Sequence, residues 1–170
     1  MAAKGIQMIR TQGARANKSG EILESHVETT LRAHGYFQVC SHVPKKQRRE
    51  FILTSTLLPK RYAKQVYIGT GIYQTDIYVD FYIFGLPAMP SGLIIECKWQ
   101  ESEGSVDEKF PYLNLNIQYS YPAPTIIVIG GEGMREGAVE WLKERETDNN
   151  NLLAVHSLDR FIAWANKYLQ

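Results

Sequence analysis

The stretch DIYVDFYIFGLPAMPSGLIIECKW, Asp76 to Trp99, decides how the chain is read. Its first nine residues are Ile, Val, Phe and Tyr with two acids, side chains that suit a pleated, half-buried strand. GLPAMPSG then sets two glycines and two prolines together, a firm turn signal. LIIECKW resumes the β composition, so the two runs are expected to pair as an antiparallel hairpin. Side chains alternate faces along a strand. Asp76, Tyr78, Asp80 and Tyr82 should therefore share one face, with Ile77, Val79, Phe81 and Ile83 on the other. In the second strand Ile94, Glu96 and Lys98 point one way, and Ile95, Cys97 and Trp99 the opposite way. With the turn near Leu86–Ser91, residue 80 falls opposite residues 96–98, and Asp80, Glu96 and Lys98 converge. Asp76 lies beyond the end of ECK; hairpin geometry favours Asp80 over it as the partner acid.

Two carboxylates a few ångströms apart repel each other, and a divalent cation relieves the repulsion while accepting hard oxygen ligands. Mg²⁺ in such a place polarises a phosphodiester and lowers the pKa of a bound water. A neighbouring ammonium orients that water or offsets the negative charge growing on phosphate. The plainer alternative for Glu96 and Lys98 is a simple ion pair, which leaves Asp80 on the same face without a purpose.

Outward from the hairpin, SGEILESHVETTLRAHGY reads as a helix capped by Ser19 and ended by Gly35, with Leu23, Val27 and Leu31 as its apolar stripe. YFQVC is a short strand, PKKQRRE a basic loop, and FILTSTLLPKRYAK fits strand or helix equally. QVYIGTGIYQTDIYVDFYIF is of β type, broken at Gly69 and Gly71. Downstream, SVDEKF carries a capping box, Ser105 with Glu108, and opens a helix in which Pro111 should sit in or end the first turn. TIIVIGG is a continuous apolar run, expected as a buried interior strand. MREGAVEWLKERE is a helix, DNNN a loop, LLAVH a strand, and SLDRFIAWANKYL a closing helix capped by Ser157. The order α-β-β-β-α-β-α-β-α predicts an α/β fold, a central mixed β-sheet flanked by helices. Residues 1–18 are expected as a flexible basic arm and 19–170 as one domain.

Composition narrows the function classes. The 170 residues are 44% hydrophobic and 22% charged, ordinary for a globular protein and unlike a disordered one. No apolar run reaches membrane-spanning length and no secretory leader is seen, so a cytoplasmic protein without membrane contact is expected. Cys40 and Cys97 make no disulfide framework, and the four histidines have no metal-ligand spacing. The net charge of +1 hides an asymmetry: residues 1–67 carry 12 Lys/Arg against 4 Asp/Glu, the remainder 7 against 14. A basic front half suits a polyanion. Lys45, Lys46, Arg48, Arg49, Lys60, Arg61 and Lys64 are its natural phosphate contacts, each adding to a salt-dependent affinity. Tyr62, Tyr67 and Tyr73 lie among them and are free to stack, although core packing is their default. Lys109 and Gln118 follow the hairpin on the next helix, where they are in reach of a phosphate, although a solvated face is their default.

Asp80 ahead of GLIIECK, with Glu96-Cys97-Lys98 matching (D/E)-x-K, resembles the PD-(D/E)XK nuclease superfamily, the restriction-endonuclease-like fold with an αβββαβ core. GEILESHVETTLRAHGY is similar to the first helix of that superfamily, with Glu24 as its acid. Val79 stands where the motif has proline. The likeness covers roughly residues 19–130, leaving the last forty residues as a peripheral addition. It implies metal ligation by Asp80, Glu96 and the backbone carbonyl of Cys97, with Mg²⁺ as cofactor and Mn²⁺ as a substitute. It also implies that Lys98 positions the attacking water and that Glu24 reaches the metal through water. The expected activity is a Mg²⁺-dependent DNA endonuclease acting on double-stranded DNA. A homodimeric type II restriction endonuclease is its most concrete form, with a structure-specific or repair nuclease, or a non-catalytic DNA-binding module of the same fold, as alternatives.

Overall fold

The structure is a computed structural model that describes residues 20–55 and 57–170. Ser19 and the basic arm of residues 1–18 lie outside the described residues. Helix α1 spans residues 20–33, and its stripe Leu23, Val27 and Leu31 is fully buried. Gly35 ends it at φ +80°, a conformation glycine adopts without steric cost, while the Tyr36 N–H turns back to the Leu31 carbonyl at 3.1 Å.

Six strands form one sheet in the order β1-β2-β3-β4-β5-β6. These are β1 (Phe37–Gln38), β2 (Arg61–Thr70), β3 (Asp76–Phe84), β4 (Leu93–Trp99), β5 (Thr125–Gly130) and β6 (Leu152–Ser157). β2–β3 and β3–β4 are antiparallel; β1–β2, β4–β5 and β5–β6 are parallel. The sheet is mixed, as the element order requires, and the hairpin of β3 and β4 forms where the Pro/Gly turn predicts it. β4 and β5 are covered on both sides, which is why LII and TIIV read as unbroken apolar runs.

The helices divide between the two faces. α1 and α5 (Leu158–Tyr168) bury Leu23, Val27, Phe161 and Ala165 against Phe81, Ile95 and Val128. α2 (Arg48–Thr54), α3 (Phe110–Ser120) and α4 (Glu136–Glu144) bury Ile52, Phe110, Ile117 and Leu142 against Val66, Ile94 and Ile127. The Ser157 hydroxyl caps α5 by accepting the Arg160 N–H, as expected. The αβββαβ, restriction-endonuclease-like core is present. The last forty residues extend it: β6 pairs along β5, and α5 supplies part of the core.

Two local expectations are corrected and one open reading is resolved. PKKQRRE is not a loop but a 3₁₀ turn, Lys45–Gln47, running into α2. Its basic side chains hide the signal, because only Ile52 is buried in α2. FILTSTLLPKRYAK divides, helix to Thr54 and strand from Arg61. The Ser105–Glu108 capping box does not form: the helical start at Asp107–Lys109 has no side-chain cap, and Gln100 Oε1 accepts the Val106 and Asp107 N–H groups at 2.8 and 3.3 Å. Pro111 sits in the first turn of α3, where its missing N–H costs nothing.

Candidate active site

The site begins where two strands part. The β3–β4 ladder covers only Phe81–Ile83 against Leu93–Ile95, whereas β4 stays paired with β5 through Trp99. From Glu96 onward one edge of β4 leaves its neighbour, and the Asp80 carboxylate fills the gap. Asp80 Oδ2 accepts the Cys97 backbone N–H at 2.8 Å. Strict alternation also fails here. Ile77 and Val79 pack on the same core as Tyr82 and Phe84, not opposite them. Across the ladder Gln65 takes φ +51° between the Lys64–Phe81 and Val66–Val79 pairs. That left-handed conformation costs a non-glycine residue roughly 1 kcal/mol or more, the kind of strain that gathers at functional sites. Gln65 Nε2 donates to Asp80 Oδ1 at 3.1 Å, so both oxygens of Asp80 are held.

Lys98 stands between the acids. Its Nζ is 2.6 Å from Glu96 Oε2 and 3.5 Å from Asp80 Oδ2. Asp76, the rival acid, is exposed at the far end of β3 and pairs with Lys46 at 2.8 Å. Glu96 is only 3% exposed. Burial, with the Asp80 charge adding to it, pushes its carboxyl up to about 7 despite the Lys98 ammonium. Burial works against the charge on Lys98, but Glu96 and Asp80 outweigh it and hold the ammonium above the usual lysine range. The Cys97 thiol is pushed well up by burial, with Asp80 adding to the effect. Glu24 approaches from α1: burial and then the Asp80 charge raise its carboxyl, against the pull of Lys64 and Lys98. Lys64 Nζ lies 2.9 Å from Glu28 and 3.8 Å from Glu24.

Glu96 and Lys98 open onto a cleft of about 380 Å³, walled by Tyr78 from β3 and by Lys109, Tyr112 and Tyr121 from the α3 side. Lys109 thus faces this cleft, while Gln118 lines a separate hollow beside Trp141 and Arg145. Sequence reasoning missed two residues of the site. Tyr121 donates its hydroxyl to Glu96 Oε1 at 2.6 Å inside the protein, and its carbonyl accepts from Asn151 Nδ2 at 2.8 Å. Gln65 is the other. Neither carries charge; the only sequence signal for Tyr121 is its place at the end of α3, before the prolines of PAP.

The basic residues separate into two groups. Lys45 and Lys46 are exposed, Lys45 3.5 Å from Gln65 Oε1 and 5.9 Å over the Tyr78 ring, Lys46 5.2 Å over Tyr67. The others hold the fold. Arg48 donates to the Val43, Lys64 and Ser41 carbonyls, and Arg49 to that of Ile68 at 3.4 Å. Lys60 ties the His34 carbonyl to that of Leu169, both at 3.2 Å. Arg61 is 8% exposed and donates to the Ile52, Leu58 and Pro59 carbonyls. Its burial leaves it poorly placed to meet a phosphate.

The donor set suits a hard divalent cation. Two carboxylates already converge on one cationic atom, Lys98 Nζ. Among the described residues no three His, Cys, Asp or Glu side chains are grouped closely enough to hold a metal by themselves. Among the described residues no helix is long and apolar enough to cross a membrane.

No curated protein and no solved structure gives a significant match. A family model described as a PD-(D/E)XK nuclease superfamily domain matches residues 15–169, so the likeness extends through the last forty residues rather than stopping near residue 130. With Asp80, Glu96 and Lys98 brought together where β3 and β4 diverge, the chain belongs to the PD-(D/E)XK nuclease superfamily, a family of nucleases.

Proposed function

We propose that the protein is a Mg²⁺-dependent DNA endonuclease, cytoplasmic, that adds water across a phosphodiester bond of double-stranded DNA. The convergence of Asp80 and Glu96 on the Lys98 ammonium carries this reading. Asp80 and Glu96, with the Cys97 carbonyl, would hold Mg²⁺, or Mn²⁺ in its place. Bound there, the ion supplies Lewis-acid polarisation of the phosphate and a water of lowered pKa. Lys98 orients the attacking water and offsets the charge that grows on the phosphoryl oxygens. Tyr121 fixes the Glu96 carboxylate, Gln65 fixes that of Asp80, and Glu24 adds a third acid from α1 that acts through water. Lys45, exposed beside Gln65 and Tyr78, and Lys46, exposed beside Tyr67 and Asp76, are the phosphate contacts best placed to draw DNA toward the cleft.

The test is incubation with supercoiled and linear DNA in Mg²⁺ and in EDTA. Cleavage is expected only with the metal, and Glu96→Ala or Lys98→Ala should abolish it while DNA binding persists. Cleavage that survives both substitutions sinks the site assignment. Discrete fragments identify a type II restriction enzyme, which at this size would act as a homodimer, one site per strand. Cutting confined to junctions, flaps or ends identifies a structure-specific or repair nuclease.

A further inference from the structure

The cleft beside Glu96 and Lys98 is walled by groups that suit an unpaired base. Tyr73, at the tip of the β2–β3 hairpin, is 72% exposed and stacks on Tyr112 with ring centroids 4.9 Å apart and planes at 25°. Tyr112 in turn lines the cleft that holds Glu96 and Lys98. An aromatic left in solvent at a loop tip adds nothing to a core. Here its ring carries the aromatic surface of the cleft, begun by Tyr112, out to the exposed hairpin tip. Cations lie by the β3 side of the cleft, Lys45 over Tyr78 at 5.9 Å and Lys46 over Tyr67 at 5.2 Å, the latter also paired at 2.8 Å with Asp76, an acid of the same cleft. Positive charge along the backbone path, with aromatic faces for the bases, is how proteins hold single strands.

The wall is also fixed. The Ile72 N–H donates to Asn116 Oδ1 at 2.9 Å, and Thr75 Oγ1 and the Tyr112 hydroxyl share a hydrogen bond at 3.1 Å. Gly71 comes so close to Asn116 that an added Cβ would stand 2.5 Å from its Oδ1, so a larger residue there would displace the side chain that latches the hairpin tip to α3. A cleft of about 380 Å³ is on the scale of a pocket for one small molecule. A strand can lie in it with one base turned onto the platform.

We propose that the strand to be cut enters this cleft unpaired, with a base stacked on the Tyr73–Tyr112 platform, as at a single-stranded region, flap or junction. This rests on the nuclease reading of the same site and selects its structure-specific form over a restriction enzyme that cuts intact duplex.

The test measures binding of the full chain by fluorescence anisotropy in EDTA, where no metal is present to support cleavage. The probes are a labelled single strand of about 15 nucleotides, within the usual span of such sites, its blunt duplex, and the duplex with a single-stranded flap. Single strand and flap should bind at least about tenfold tighter than the blunt duplex. Tyr73→Ala, a change at an exposed tip, should weaken them about five- to hundred-fold, the loss of one base–aromatic stack. The blunt duplex should change little, and Tyr73→Trp should restore single-strand affinity. A blunt duplex bound as tightly as the single strand, or a Tyr73→Ala variant that binds single strands like wild type, overturns the proposal. Adding Mg²⁺ to the same mixtures tests the nuclease reading separately. Cleavage of any probe keeps that reading whatever the stacking result, and absence of cleavage beside intact, Tyr73-dependent binding retires it while leaving the strand-binding platform in place.

Discussion

Two buried carboxylates, Asp107 and Glu96, show how similar burial serves two purposes. Asp107 meets three donors from Arg135: its backbone N–H and Nε on one oxygen and Nη2 on the other, all at 2.9 Å. Those bonds hold Asp107 well below the usual carboxylate range. Glu96 meets one tyrosine hydroxyl and one ammonium that it shares with Asp80. These partners offset its burial only in part, and burial pushes its carboxyl up to about 7. Asp107 is a clasp, joining the segment after β4 to the start of α4. Glu96 is a buried acid with few partners that opens onto a cleft, the setting of a candidate functional site.

The largest expected effect breaks this pair in opposite directions. Glu96→Gln should lower the metal-dependent cleavage rate by about 10³-fold, on the scale of removing one transition-state contact in other enzymes. It should not lower thermal stability at pH 8, because the amide can keep a hydrogen bond with Tyr121 and buries no charge. Asp107→Ala should cost about 2–3 kcal/mol through lost charge-assisted hydrogen bonds, a fall in Tm of roughly 5–10 °C. Its cleavage rate per folded molecule should stay close to wild type. Calorimetric melts beside a cleavage assay decide it. A Glu96→Gln variant that melts early but still cuts would reverse the two roles.

The proton linkage of the two groups has opposite sign, which sharpens the comparison. Glu96 has its folded value raised from 4.5 to about 7. Its contribution is therefore present below the unfolded value and is lost as pH rises through 7. Asp107 is lowered from 3.8; its contribution is present above the unfolded value and is lost as pH falls through the folded one. Relative to Glu96→Gln, the wild type should lose stability between about pH 4.5 and 7, by at most about 1.4 kcal/mol per pH unit for one proton. Relative to Asp107→Asn, its advantage should be level from pH 5 upward and shrink as pH falls below 4. Urea unfolding across pH 3–8 gives both slopes, and two slopes of the same sign would end the distinction.

Much of this was legible in the chain. The Pro/Gly turn between two β runs fixed the β3–β4 hairpin, and with it the place of Asp80 near Glu96 and Lys98. The stripe Leu23, Val27 and Leu31 gave α1, because one apolar face repeating every fourth residue has no other stable reading. Legibility failed where tertiary contacts overrule local pattern. Arg48 and Arg61 look like surface charges, yet they serve backbone carbonyls at the α2–β2 junction. Face alternation fails at Asp80, across the ladder from Gln65, whose left-handed conformation no residue pattern announces. Capping-box spacing at Ser105 lost to Gln100, which supplies the acceptor from β4's far side of the turn.

Tyr121 is the residue the sequence hid most completely, and it gives the smallest effect of the set. Its hydroxyl is buried against Glu96 Oε1 at 2.6 Å while Lys98 holds the other oxygen, so the carboxylate is fixed from both sides. Burial, with the Glu96 charge adding to it, raises the phenol far above its usual range, so it stays a donor at every working pH. Tyr121→Phe keeps the ring packed in the core and removes only that donor. Groups that orient a metal ligand are typically worth about 10–100-fold in affinity or activity; with Lys98 still in place, about tenfold is expected here. Titration calorimetry should show Mn²⁺ affinity and the cleavage rate falling together by that factor, with Tm changed by less than about 5 °C. A variant that melts far lower yet binds Mn²⁺ as wild type does would make Tyr121 a packing residue, leaving Glu96 positioned by Lys98 alone.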